Sequence, residues 1–155
     1  MSDLYLKFAN SPLGKQAVSS LGLPAPQPLE RWQRSDQPFI EGDVLLGAGP
    51  APRALATLAD ILKQSAATLY YPKGSDQLAA SGELAQSHKA KVLDLTAEEA
   101  PKQSFKALVL DATGIKDTTE LRCLYDFYHP TIRNLARNGR VLVIGMDPVH
   151  CKQPA

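Results

Sequence analysis

From Asp43 to Ile144, short continuous apolar runs alternate with longer stretches in which apolar residues recur every three or four positions. The runs are Val44-Leu45-Leu46, Ala67 to Tyr71, Lys91-Val92-Leu93-Asp94, Ala107-Leu108-Val109-Leu110-Asp111 and Arg140-Val141-Leu142-Val143-Ile144. They lack polar alternation, the pattern of strands covered on both faces. Between them, Leu55, Leu58, Ala59 and Leu62 predict a helix from about Pro52 to Gln64, and residues 76–88 suit a second. Asp117 and Glu120 have the spacing of a capping box and predict a third helix from about Thr118 to Arg137. Tyr125 and Tyr128, three apart beside Leu121 and Leu124, are expected to pack that helix onto the sheet.

Parallel strands need crossover connections, and those crossovers cover the faces of the sheet. The pattern therefore predicts an α/β fold, a Rossmann-like or flavodoxin-like doubly wound parallel sheet of about five strands. Ahead of it, the spacing of Leu4, Leu6 and Phe8, and of Leu13, Ala17, Val18 and Leu21, predicts short helices over 3–9 and 13–21, the second ended by Gly22. Pro24, Pro26, Pro28 and Pro38 surround Leu29 and Trp32, a density that excludes helix interior and central strand and predicts an extended arm. The expected division is 1–38, helices and proline-rich arm, and 39–155, the α/β domain. That domain is expected to be truncated after its fifth strand, and an uncovered fifth strand predicts dimerisation or poor solubility.

Composition narrows the function classes. The 155 residues are 44% hydrophobic and 21% charged, with a formal net charge of +1. This is globular composition without the basic footprint of a nucleic-acid or anionic-membrane binder. No basic leader and no long apolar stretch occurs, which predicts a cytoplasmic protein. Cys123 and Cys151 are not in a paired spacing, and His88, His129 and His150 are not spaced as metal ligands, so no metal is expected.

Ligands of doubly wound folds bind beyond the carboxyl ends of the strands. The first strand leads into Gly47-Ala48-Gly49-Pro50-Ala51-Pro52, which has two glycines suited to a phosphate loop. Pro52 stands where a third glycine would, and Pro50 lacks an amide to offer phosphate. After the second strand, Tyr71-Pro72-Lys73 carries no carboxylate for a ribose, and Lys73 reads as a solvated lysine rather than a 2′-phosphate ligand. Asp94 and Asp111, at the third and fourth tips, read equally as ligand contacts and as cap or turn residues. Gly47, Gly49, Asp94 and Asp111 are thus the weak cofactor-binding candidates, with none expected to bind. Asp111, Thr113, Tyr125, Asp126, Tyr128, His129 and His150 are the candidates for acid, base or nucleophile, and no catalytic triad is expected from them. His129, before Pro130, is expected at the surface where the helix breaks.

Asp94-Leu95-Thr96, Asp111-Ala112-Thr113-Gly114 and Gly139-Arg140 leading to Gly145 resemble the strand tips of short-chain dehydrogenase/reductases. The family's glycine-rich loop is replaced here by the proline-containing loop, and Tyr-x-x-x-Lys does not occur. More narrowly, Leu21-Gly22-Leu23-Pro24, Pro28-Leu29-Glu30-Arg31-Trp32, Leu45 to Gly49, Leu110 to Ile115 and Arg133-Asn134-Leu135 resemble the N-terminal domain of high-molecular-weight 3-oxoacyl-[acyl-carrier-protein] reductases, over most of the chain.

The resemblance implies a degenerate domain preceding a full reductase domain, which would hold NADH or NADPH and the catalytic Ser, Tyr and Lys. It also implies fatty-acid-type reduction of 3-oxoacyl thioesters, with acyl-carrier protein or acyl-CoA as the parent's substrate carrier. This chain would then be a non-catalytic accessory domain binding no cofactor itself. Its partners would be the C-terminal reductase domain and further copies in a homo-oligomer. Two other readings stand beside it: a protein-interaction module using the proline-rich arm, and a stand-alone binder of a nucleotide or small molecule such as NAD(P)H, FMN or S-adenosylmethionine.

Overall fold

The computed structural model describes residues 4–23, 35–75, 90–96 and 103–147. The chain divides into two compact units, Met1–Gln37 and Pro38–Ala155.

In the first unit, α1 (Leu4–Asn10) and α2 (Pro12–Ser20) follow each other directly. Ser11 caps α2: its hydroxyl oxygen accepts the Gly14 amide at 3.0 Å, and Pro12 starts the helix where no amide partner is needed. Gly14 lies so close to the Phe8 carbonyl that a Cβ would sit 1.7 Å from its oxygen. After α2, Gly22 takes φ +62 and the Leu23 amide reaches back to the Val18 carbonyl at 3.0 Å. That is a Schellman ending, and it needs a residue at ease in the left-handed region. The expected arm falls largely on residues 24–34, outside the described residues.

The second unit holds a five-stranded, wholly parallel sheet in the order β3-β2-β1-β4-β5. Its strands are β1 (Glu41–Ala48), β2 (Ala66–Pro72), β3 (Lys91–Leu93), β4 (Phe105–Asp111) and β5 (Leu135–Ile144). The expected α/β fold is present, and the order is that of Rossmann sheets rather than of flavodoxin. Helix α3 (Leu55–Lys63) follows β1, and α4 (Arg122–Tyr128) follows β4. The helix expected over 76–88 lies outside the described residues.

Alternation along β1 sorts the core into two layers. Val44 and Leu46 join Leu55, Ala59 and Leu62 of α3, with Leu69 and Val109. Leu45 joins Phe127 of α4, with Tyr70, Phe105, Leu108 and Leu110, on the opposite face. Each leucine buried in this way contributes roughly 2 kcal/mol. Helix α3 ends at Lys63 as Ser65 turns its hydroxyl onto the Leu62 carbonyl at 2.6 Å. No helix among the described residues is long and apolar enough to cross a membrane.

Three expectations are corrected after β4. The helix does not run from Thr118 to Arg137. Asp117 accepts the amides of Thr119 and Glu120, but Glu120 accepts the Lys116 amide instead of completing the reciprocal box, and the α-helix proper spans only Arg122–Tyr128. Pro130 forbids its continuation, and the buried Thr131 hydroxyl donates to the Phe127 carbonyl at 2.7 Å. A 3-10 turn, Ile132–Asn134, then leads straight into β5. That strand starts at Leu135 rather than Arg140. The paired register jumps from Phe105 with Leu135 to Ala107 with Arg140, and Asn138 takes φ 56 within the bulge. The regular ladder resumes at Arg140. β5 is also not covered on both faces: Val141 is 45% exposed, Leu142 38% and Val143 47%.

Candidate functional site

β1 and β4 are neighbours from which the chain leaves in opposite directions across the sheet, β1 towards β2 and β4 towards β5. Their carboxyl ends form the switch point at which Rossmann sheets hold the pyrophosphate. The loop after β1, residues 49–54, meets the loop after β4, residues 111–114, at this point.

Asp111, the last residue of β4, is fully buried. Its Oδ2 accepts the Ala54 amide at 2.8 Å. Its Oδ1 accepts the Thr113 amide at 3.0 Å and the Thr113 hydroxyl at 2.6 Å. Thr113 Oγ1 in turn accepts the Arg53 amide at 2.8 Å, and the Asp111 carbonyl accepts the Gly49 amide at 2.8 Å. Ala54 is the N-cap residue of α3 and has no side-chain cap of its own. The carboxylate from β4 caps the helix in its stead, at the positive end of the helix dipole, where a phosphate binds in a nucleotide site.

The loop is also closed sterically. A Cβ on Gly114 would lie 2.0 Å from the Pro50 carbonyl oxygen and 2.2 Å from that of Ala51, so the two loops touch backbone to backbone. Ala51 sits at φ 43, a conformation L-residues seldom adopt. Pro50 and Pro52 have no N–H, and the amides of Gly49, Arg53 and Ala54 are donated to the Asp111 loop.

Of the four weak candidates, Gly47 and Gly49 flank this region for different reasons. Gly47 lies within β1, and a Cβ there would meet the Phe127 ring at 2.4 Å, so it admits α4 to the sheet. Gly49 opens the loop, with room for a Cβ only at 3.3 Å from the Asp111 carbonyl oxygen and the Cys123 sulfur.

Asp94 lies at the neighbouring tips of β2 and β3. Its Oδ1 accepts the Thr96 amide at 3.0 Å and hydroxyl at 2.7 Å, and its Oδ2 accepts Lys73 Nζ at 3.0 Å. These contacts, the Thr96 hydroxyl foremost and then Lys73, hold its carboxyl down to about 2. Lys73 thus has a partner that sequence reasoning did not give it. The turn at Asp94, unlike that ion pair, has a sequence signal: Asp94-x-Thr96, Asp111-x-Thr113 and Asp117-x-Thr119 share one spacing, and in each the aspartate accepts the amide two residues on. That is an Asx turn.

The remaining candidates serve α4. Tyr128 donates its hydroxyl to the Leu142 carbonyl at 2.8 Å and packs beside Phe127, and burial pushes its phenol up to about 12. Tyr125 does not pack on the sheet as expected. It is 53% exposed, with His129 stacked on its ring at 4.6 Å and Arg122 over it at 4.9 Å. Three residues before Tyr128, it lies about 60° away round the helix and so off the buried face. Arg122 also pairs with Asp126 at 2.9 Å, which raises its pKa. His129 is exposed. The Cys123 thiol is raised by burial first and by Asp126 and Glu120 next. His88, His150 and Cys151 lie outside the described residues. No cluster of His, Cys, Asp or Glu able to hold a metal occurs among the described residues.

No protein-family model matches the chain, and no curated protein matches it.

Proposed function

We propose that this chain is a non-catalytic accessory domain, a Rossmann-type unit whose phosphate position is taken by its own carboxylate. In the setting implied by its sequence resemblance, it precedes the catalytic domain of a 3-oxoacyl-[acyl-carrier-protein] reductase and supports that domain's assembly. The parent enzyme would reduce a 3-oxoacyl thioester with NADH or NADPH. The observation that carries this reading is the Asp111 carboxylate at the start of α3, bonded to the Ala54 amide. A dinucleotide's pyrophosphate needs those amides, and its negative charge would have to approach a buried carboxylate.

The test is titration of the purified chain with NADH and NADPH, followed by thermal stabilisation and Trp32 fluorescence. A ligand at a hundred times its Kd stabilises a folded protein by about 2.7 kcal/mol, so binding would be visible as a clear rise in Tm. The expected result is no shift at millimolar cofactor and no cofactor oxidation with an acetoacetyl thioester. Saturable binding in the micromolar range overturns the reading.

A further inference from the structure

The two edges of the sheet differ in kind. β3 is a three-residue edge that opens on Lys91 and exposes one apolar side chain, Val92. Short, charged edges of this sort resist pairing. β5 is a ten-residue edge, and from Val141 to Ile144 it carries neither charge, proline nor bulge, the bulge at Asn138 lying upstream. Val141, Leu142 and Val143 are all substantially exposed, so apolar surface is open on both faces of the same strand. Val141 and Val143 are in register with Leu108 and Leu110 on the α4 side, and Leu142 is in register with Val109 on the α3 side.

We propose that β5 pairs with β5 of a second copy of this chain, antiparallel about a two-fold axis at Leu142, to make one continuous sheet. The backbone sets this register. The Ala112 amide donates to the Ile144 carbonyl, so by the two-residue period Arg140, Leu142 and Ile144 bond towards β4. Val141 and Val143 therefore turn their N–H and C=O groups to the open side. The two-fold places Val141 opposite Val143 of the second copy, two outward-facing residues that exchange both hydrogen bonds.

Side chains and charge fit the same register. Val-Leu-Val reads the same in both directions, so valines meet valines on the α4 face and Leu142 meets its own copy on the other. Arg137 and Arg140 precede the Val141–Ile144 segment and Asp147 follows it. Antiparallel pairing sets the basic end of one strand beside the acidic end of the other. It is also a closed, isologous contact, the commonest kind among homo-oligomers. Strand pairing of this length falls short of the roughly 800 Å² per partner of a standard interface, which places the dimer among weak, reversible ones.

This pairing deepens the assembly role of the accessory reading but does not depend on the Asp111 loop. Sedimentation equilibrium of the 155-residue chain tests it. The expected mass rises from 16.8 kDa towards twice that value between micromolar and high-micromolar concentration. Val143→Lys, which adds charge, and Val143→Pro, which removes the outward amide, each weaken the dimer at least tenfold. Val92→Lys on the other edge leaves it unchanged. A single 16.8 kDa species up to about 1 mM overturns the proposal. So does a dimer that survives both Val143 substitutions, or a monomer whose β5 edge binds a reductase domain instead. Cofactor binding by a β5-paired dimer would remove the accessory reading and leave this one standing.

Discussion

The Asp111 carboxylate accepts the backbone amide of Ala54 at 2.8 Å, joining the end of β4 to the start of α3 across 57 residues. The same carboxylate holds the amide and hydroxyl of Thr113, which in turn holds Arg53. One buried side chain thus organises two loops. Asp111→Ala leaves the Ala54 and Thr113 amides without their acceptor and is expected to destabilise the second unit by roughly 3 kcal/mol. Asp111→Asn keeps one carbonyl oxygen and should cost less, about 1–2 kcal/mol. Urea unfolding of the three proteins measures this, and coincident midpoints would refute the capping role.

Gly114 leaves no room for a side chain beside the other loop. A methyl group there would meet carbonyl oxygens at 2.0 and 2.2 Å, so Gly114→Ala cannot be accommodated by a side-chain rotation. The expected loss is about 3 kcal/mol, since backbone has to move. Gly145→Ala is the matched control: nothing lies within 4 Å of its Cβ position, and its Tm is expected to stay within about 1 °C of the parent. Equal Tm values for both variants would mean that the loops are not packed against each other in solution.

The strands and their order of appearance were legible because apolar runs in a parallel sheet need no partner information to be recognised. Val44 to Leu46 and Ala107 to Leu110 are buried where the pattern puts them. What escaped was decided by distant or competing contacts. The third helix is expected as far as Arg137 from a start signal at Asp117 and Glu120 that says nothing of its end, whereas the chain turns after Pro130 through Ile132–Asn134 into β5. Gly47 resembles a phosphate-loop glycine in sequence, and only the position of Phe127 on the opposing helix shows what its missing side chain makes room for. The two readings of Asp111, ligand contact or cap, were equal in sequence. Its Asx turn with Thr113 is local, but its bond to Ala54 is a tertiary fact.

Asp94 offers a prediction in pH. Its carboxyl is depressed from 3.8 to about 2 in the folded chain, so between these values the unfolded state binds more protons. Stability from this group is therefore present above about 3.8 and is lost as pH falls towards about 2. Carbon-13 NMR of the Asp94 carboxyl should give a midpoint near 2. The Thr96 hydroxyl is the largest cause, so Thr96→Val should raise that midpoint more than Lys73→Met does. The reverse order would make the ion pair, not the turn, the dominant contact.

Gly47 and Phe127 give the sharpest test of how α4 sits on the sheet. A Cβ at Gly47 would lie 2.4 and 2.5 Å from two carbons of the Phe127 ring and 3.0 Å from a methyl of Leu110. Phe127 is buried and locked against Tyr128, so its ring cannot swing to solvent without opening the core layer. Gly47→Ala alone should therefore cost about 2 kcal/mol by overpacking. Phe127→Leu alone should cost a similar amount, about 2 kcal/mol, through lost volume. In combination the new methyl occupies part of the space the ring vacates, so the double variant should be at least about 1 kcal/mol more stable than the sum of the singles predicts. Denaturant unfolding of the four proteins closes the cycle. Strict additivity would mean that the two residues do not meet, and that β1 keeps its glycine for some other reason than the approach of α4.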